Sequence, residues 1–404
     1  MASSLSRIAG RILGPDVAPS DARLTVVAAD VAGSRLLTLE HGWQAGFSPE
    51  DADELLRDGE AWAAGPDDLR TLASLCATYG LAVVRTLGQL PRARLLTEAG
   101  LRFAHKARDP ALTFAVEVRH AFVCEYGGDV IEITRAAEIA NHHEAAEMDA
   151  ASPSLGHDGR AMALGLRGVA ACHGGRLREA TVHLRTAIEL GRERGAMDVV
   201  GWLLSYVTRV QLCRGDVESG LASAREAMEI ADRSADPMAV GLASILLGSA
   251  LGRSGDLGGA VVTAERAVEA TTQALRPSLP EALSDLAAIQ CALGGPSTAR
   301  RTAERALQIA EECGFRQGRV HAEMSLAAVN LAVGDEASLA EVARRLARAR
   351  EAADALAYRL MLPDACDLRA ALASRQGDDA GAEAAMHEAE EIRRELDAPY
   401  DAQP

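Results

Sequence analysis

The stretches 211–227, QLCRGDVESGLASAREA, and 251–267, LGRSGDLGGAVVTAERA, decide how this chain folds. Laid over one another they bring Gly215 onto Gly255, Asp216 onto Asp256, Gly220 onto Ala260 and Ala227 onto Ala267. Outward from them the same glycine recurs at Gly88, Gly128, Gly175, Gly294, Gly334 and Gly377. The eight are separated by steps of 40, 47, 40, 40, 39, 40 and 43 residues. Small residues follow in register, five positions on (Ala93, Ala180, Ala299, Ala382) and twelve positions on (Gly100, Ala140, Ala187, Ala306, Ala389). A fixed period near 40 with small residues in phase is the pattern of a stacked repeat array, in which each unit packs on its neighbours.

Each repeat reads as two helices. The ladder glycine suits the left-handed residue that ends a helix, where a side chain would be strained. Asp follows it in five repeats (Asp129, Asp216, Asp256, Asp335, Asp378), placed to accept from the free amides that open the next helix. Behind Gly294, Gly295–Pro296 takes that place, with proline where a missing N–H is harmless. Pro110, Pro237, Pro277 and Pro280 mark the boundaries between repeats. The expectation is an all-α, right-handed α-solenoid of about eight or nine helix–turn–helix repeats over residues 67–399. A leader (1–20), a degenerate N-terminal helix pair (21–66) acting as a cap, and a short tail (400–404) flank it. The one enlarged step contains DAASPSLGHDG, 149–159, which reads as a longer surface loop.

Composition agrees with close-packed helices. Nearly half the residues are apolar but only 3% are aromatic, so Ala, Leu, Val and Gly must do the packing, which disfavours sandwiches and barrels. The formal net charge of −16 repels phosphate backbones and argues against a nucleic-acid partner. The seven cysteines stand singly, as buried hydrophobes in a reducing compartment do. Neither a secretory segment nor an apolar run of about 18 residues is present, so the reading is cytoplasmic and without a membrane.

No catalytic motif stands out and no cofactor is implied. The densest set of ligand-type residues is His142, His143 and Glu147, with His157 as a candidate third metal ligand in the enlarged step. A polar helix end explains the same residues, so no metal is assigned. His120, His173, His183 and His321 stand singly in separate repeats, and none has a partnering Cys or Ser in a recognisable nucleophile setting.

The glycine at the turn, the small residues five and twelve behind it, and Leu247–Gly248 ahead of Gly255 resemble the tetratricopeptide repeat, here lengthened from the usual 34 residues to about 40. A narrower resemblance rests on residues 36–80, where Gly42–Trp43, Ser48–Asp51, Gly59–Trp62 and Thr78–Gly80 occur in order. It also rests on residues 152–180, SPSLGHDGRAMALGLRGVAACHGGRLREA, and on Met197–Trp202. These are similar to the tetratricopeptide region of bacterial class III adenylate or guanylate cyclases that carry an ATPase module. Similar arrays follow ATPase modules in transcriptional activators. No phosphate-loop motif G-x-x-x-x-G-K-[ST] is present, so the resemblance implies a sensor or scaffold part.

In such arrays the first helix of each pair lines the concave face, with positions 13, 10, 6, 3 and 2 before the ladder glycine pointing inward. Carried over, these give a binding groove of Arg85, Glu125, Tyr126, Met162, His173, Trp202, Ser205, Arg209, Arg253, His321 and Met324. The same offsets place Phe122, Leu242, Ile245 and Glu281 there. Aromatic, Met and Arg side chains are the usual anchors of interfaces. The expected role is therefore a non-catalytic scaffold or sensor for a protein or peptide partner, such as a cyclase or ATPase domain. Homo-oligomers are compatible with it. The second reading is a small-ligand or metal-binding sensor or enzyme, with its site in the groove or near His142 and His143.

Overall fold

The structure is a computed structural model and describes residues 65–234 and 236–399. The expected leader and tail, and all but the last two residues of the expected N-terminal helix pair, lie outside the described residues. Among the described residues there are seventeen α-helices and no strand. The first five are α1 (Pro66–Ala82), α2 (Leu90–Ala107), α3 (Pro110–Gly127), α4 (Val130–Ala140) and α5 (Ala145–Leu155). They are followed by α6 (Gly159–His173), α7 (Leu177–Glu193), α8 (Met197–Cys213), α9 (Val217–Ser234), α10 (Pro237–Ser254) and α11 (Leu257–Ala274). The last six are α12 (Leu279–Ala292), α13 (Pro296–Cys313), α14 (Arg316–Val333), α15 (Glu336–Ala355), α16 (Leu362–Arg375) and α17 (Asp379–Leu396).

The ladder glycines fall between the two helices of a pair, and all eight have positive φ, from 71° at Gly88 to 89° at Gly255. Behind five of them the aspartate caps the second helix. Asp335 accepts from the Ser338 amide at 2.7 Å, Asp256 from Gly259 at 2.9 Å and Asp378 from Gly381 at 2.9 Å. Asp216 accepts from Ser219 at 3.1 Å and Asp129 from Ile131 at 3.0 Å. The small residues of the ladder are where helices meet. Ala180, Ala187, Ala260, Ala267, Ala299 and Ala306 are completely buried. A Cβ on Gly168 would stand 2.7 Å from the Leu184 side chain, so only glycine lets α6 and α7 approach as they do.

The enlarged step differs from its reading as a loop, because most of it forms α5. Glu144 and Glu147 make a reciprocal capping box that starts this helix, and Gly156 ends it in the left-handed conformation. Pro153 sits within it, but the carbonyl its ring deprives of a donor belongs to exposed Asp149, where water can substitute.

Two compact units are distinguishable: residues 65–124 with 136–163, and residues 125–135 with 164–399. In the first, Leu72, Cys76, Tyr79, Leu96, Phe103 and Val116 form the core between α1, α2 and α3. In the second, small apolar clusters succeed one another from pair to pair, as a repeat array requires. This second unit also closes on itself. The Val130 amide donates to the Leu356 carbonyl at 3.0 Å, and Gln317 donates to the Gly128 carbonyl at 3.3 Å. At its C-terminal end Asp397 pairs with Arg214 at 2.7 Å and Arg178 at 3.3 Å, while Leu396 lies against Gly175.

Candidate functional site

The second unit holds a cavity of about 320 Å³ that is open to solvent on one side. Its walls come from the first helices of four successive pairs (α8, α10, α12 and α14) and from α16, with the segment between α15 and α16 closing one side. Among the helical residues that line it, Leu257 of α11 alone comes from the second helix of a pair. First helices therefore share one face of this unit, and their polar side chains converge on one space.

Arg209 is the hub of that space. It lies one turn from the end of α8 and donates to the Glu281 carboxylate of α12 at 2.7 Å, with both side chains largely buried. Burial works against each charge, but each stabilises the other's. The Arg209 guanidinium is held well above its usual range, and the Glu281 carboxyl is held down at about 2 by Arg209, with His321 assisting. Among the described residues the Arg209 Nε–H, also buried, has no hydrogen-bond acceptor.

Asp285 stands one helical turn beyond Glu281 on the same wall. Burial, reinforced by the charge of Glu281, pushes its carboxyl up to about 7, against the pull of the hydrogen bond donated by the Ser249 hydroxyl. Nearer the rim Arg253 pairs with Asp364 at 3.4 Å. His321, whose basicity burial lowers, places Nε2 3.1 Å from the Tyr358 hydroxyl. The remaining lining is apolar, with Leu246, Ile289, Leu360 and Met361 contributing.

A second polar network lies deeper in the same unit. The Tyr206 hydroxyl donates to Glu125, and burial is the main reason its own ionisation is suppressed. Glu125 lies 3.7 Å from Nε2 of His173, whose Nδ1 accepts from Gln317 at 3.1 Å. The His173 ring meets Tyr206 edge-on at 5.8 Å and Tyr358 at 6.1 Å, so this network abuts the wall of the cavity.

The residues expected in the groove are distributed unequally. Arg209, Arg253, His321 and Glu281 line the cavity. Glu125 and His173 lie in the adjoining network, and half-buried Trp202 packs edge-on against Tyr206 at 5.8 Å. Ser205 is buried with its hydroxyl on the Gly201 carbonyl at 3.3 Å, Met324 is buried, and Tyr126 is half-buried. Arg85 and Met162 belong to the first unit, where Arg85 sits 5.7 Å over the Phe122 ring and Met162 is buried. Asp285, Ser249, Tyr358 and Asp364 line the cavity without having been singled out in the sequence. Asp285 was within reach of a simple signal, since it follows Glu281 by four residues and so shares its helical face.

The residues weighed as metal ligands lie in the first unit. Both ring nitrogens of His143 are engaged, Nδ1 with Glu147 and Nε2 with Glu117, each at 2.8 Å. His142 is exposed with Nδ1 2.6 Å from the Glu138 carbonyl, and His157 is half-buried. Among the described residues no three His, Cys, Asp or Glu side chains are grouped so as to hold a metal ion.

No family model and no curated protein matches the chain. Its fold is similar to that of several solved structures. A Rap protein complexed with competence and sporulation factor is 14% identical over 93% of this chain and 99% of that one, with a TM-score of 0.62. The Rap conjugation gene regulator of the plasmid pLS20, in complex with the Phr* peptide, is 13% identical over 92% and 95%, with a TM-score of 0.52. Aspartyl phosphate phosphatase F from Bacillus subtilis is 14% identical over 95% and 96%, with a TM-score of 0.50. At these identities the likeness is one of fold, a tetratricopeptide-type α-solenoid.

Proposed function

We propose that this chain is a non-catalytic scaffold or sensor that takes a peptide or a segment of a partner protein on the inner face of its second unit. The observation that carries the reading is the cavity itself, a preformed space at which the first helices of successive pairs converge with paired charges and apolar walls. A preformed site loses little ordering entropy on binding, which favours capture of short segments. Two of the similar solved structures are complexes with a factor or a peptide, which supports a ligand of that size. The resemblance of residues 36–80 and 152–180 supports a signalling setting, with a cyclase or ATPase domain as the partner whose state the bound ligand biases. The acidic balance of the chain disfavours nucleic acid, and no helix among the described residues is long and apolar enough to cross a membrane. The solitary cysteines suit a cytoplasmic setting, and homo-oligomers are compatible with this role.

Ala288 provides the test, because it is exposed yet lines the cavity, so a large side chain there fills the space without entering the core. Immobilised wild-type protein should enrich binders from a random peptide display library, and Ala288→Trp should lose that enrichment while keeping its helical circular dichroism and melting temperature. Equal enrichment by both proteins would show that captured peptides do not use the cavity.

A further inference from the structure

The cavity has the size of two fused rings. A space of roughly 150 Å³ takes one benzene ring, so about 320 Å³ has room for a bicyclic group and its link to a backbone. An isobutyl or smaller side chain would leave much of it empty and forfeit contacts with the far wall. The charges of the lining are already answered within it. Arg209 is paired with Glu281 at 2.7 Å and Arg253 with Asp364 at 3.4 Å, so neither guanidinium is left to draw in an anion. Asp285 accepts from the Ser249 hydroxyl, and burial beside the charge of Glu281 disfavours its ionised form, so no carboxylate is set aside for a cation. Gly252 of α10 marks where the space is kept open. Glycine is a poor helix former, and this one lies inside a helix without a positive φ. A Cβ there would meet nothing nearer than Ile289 Cγ1 at 3.8 Å, an ordinary contact, so packing does not demand a glycine. The missing side chain leaves room beside Ile289 on the cavity wall.

We infer that the cavity takes one tryptophan side chain of a bound segment, with the indole over the bare backbone of Gly252 and against Leu246 and Ile289. Glycine lets a flat ring approach a helix backbone that a larger residue would hold off. Asp285 supplies what the edge of the ring requires. Its Oδ1 has no partner among the described residues and is not sealed from solvent, which suits it to accept from the indole N–H, a donor that needs a partner when buried. Arg253, Ala288 and Ala292 are the exposed residues of the lining, and the backbone of the segment leaves the cavity past them. The inference rests on the reading of this cavity as the binding site and specifies the residue that anchors the ligand in it.

Isothermal titration of the full chain with N-acetyl-tryptophanamide, N-acetyl-leucinamide and N-acetyl-lysinamide tests the assignment. The tryptophan compound should bind about tenfold or more tightly than either of the others. Gly252→Leu, whose side chain would enter the space, should weaken it by about tenfold or more, while Gly252→Ala should raise the melting temperature because alanine fits there and favours a helix. Equal or tighter binding of the leucine or lysine compound overturns the inference, as does undiminished binding to a folded Gly252→Leu protein. So does the absence of binding by N-acetyl-tryptophanamide at millimolar concentration. Should Gly252→Leu fail to fold, the ranking of the three compounds on the wild-type protein decides. Peptide enrichment that is sensitive to Ala288→Trp, yet yields peptides without tryptophan, would leave the cavity as a peptide site and overturn only this inference, so the two readings fail separately.

Discussion

Replacing Asp285 by asparagine should stabilise the protein, and the gain should grow with pH. Asparagine keeps an oxygen to accept from Ser249 but cannot ionise. In the folded protein burial and the charge of Glu281 move the Asp285 carboxyl from 3.8 to about 7. An unfolded chain gives up that proton near 3.8, so between about pH 4 and pH 7 the folded state binds it and the unfolded state does not. The aspartate therefore favours folding most at low pH, and that contribution is lost as pH rises through 7. At roughly 1.4 kcal/mol per pH unit below the folded value, the advantage of Asp285→Asn over wild type should widen by about 2–3 kcal/mol between pH 5 and pH 8. If the described residues melt together, that corresponds to about 3–5 °C in melting temperature. Glu281 does not intrude, because its depressed value of about 2 contributes stability above 4.5 that is lost only as pH falls below that range. His321, buried and of lowered basicity, affects both proteins alike, so the difference between them is the quantity to follow. Thermal melts by circular dichroism at pH 5, 6, 7 and 8 suffice. A difference that stays constant across this range would mean that Asp285 is ionised throughout, and burial and the charge of Glu281 would not be raising its carboxyl as described.

Other consequences follow from the packing. Arg209→Met strands the Glu281 charge in a buried site and should destabilise the protein by about 3–5 kcal/mol in urea unfolding, whereas Arg209→Met combined with Glu281→Leu should recover most of the loss. Gly255→Ala meets open space and should cost only the left-handed strain, about 1–2 kcal/mol. Gly128→Ala should cost measurably more, because its Cβ would lie 2.6 Å from the Gln317 side chain that helps close the second unit. Burial pushes the thiols of Cys76 and Cys172 up to about 12, so both should resist iodoacetamide at pH 8 while half-buried Cys291 and Cys313 are labelled first, as peptide mass mapping can show.

The repeat was legible because its signals are local. A glycine that must take positive φ and an aspartate that must cap the next helix act within four residues of themselves, so Gly255 and Asp256 read the same in sequence as in space. The cavity was legible only in part. Arg209, Glu281, Arg253 and His321 fall at inward offsets from their ladder glycines. Asp285 lies nine residues before Gly294, outside those offsets, although its helix turns it to the same side as Glu281. Tyr358 follows Ala357, a non-glycine residue held at a φ of 53°, in a link between pairs where no period operates. The helix Ala145–Leu155 was hidden for a related reason, since Ser, Pro and Gly favour a loop by local preference. Here the Glu144–Glu147 capping box and an exposed position for the carbonyl that Pro153 leaves bare allow a helix instead.

The contacts of Asp397 with Arg178 and Arg214 change what kind of object the second unit is. An open stack is a rod in which each pair answers only to its neighbours, and its last pair can fray unnoticed by the first. Once residues more than two hundred positions apart are joined, as Arg178 and Asp397 are, the stack becomes a hoop. The pitch of every intervening pair must then add up to a value that lets the ends meet. The seam acts as a vernier: a small rotation at any one pair, including those that wall the cavity, accumulates around the circumference and is registered where the hoop closes.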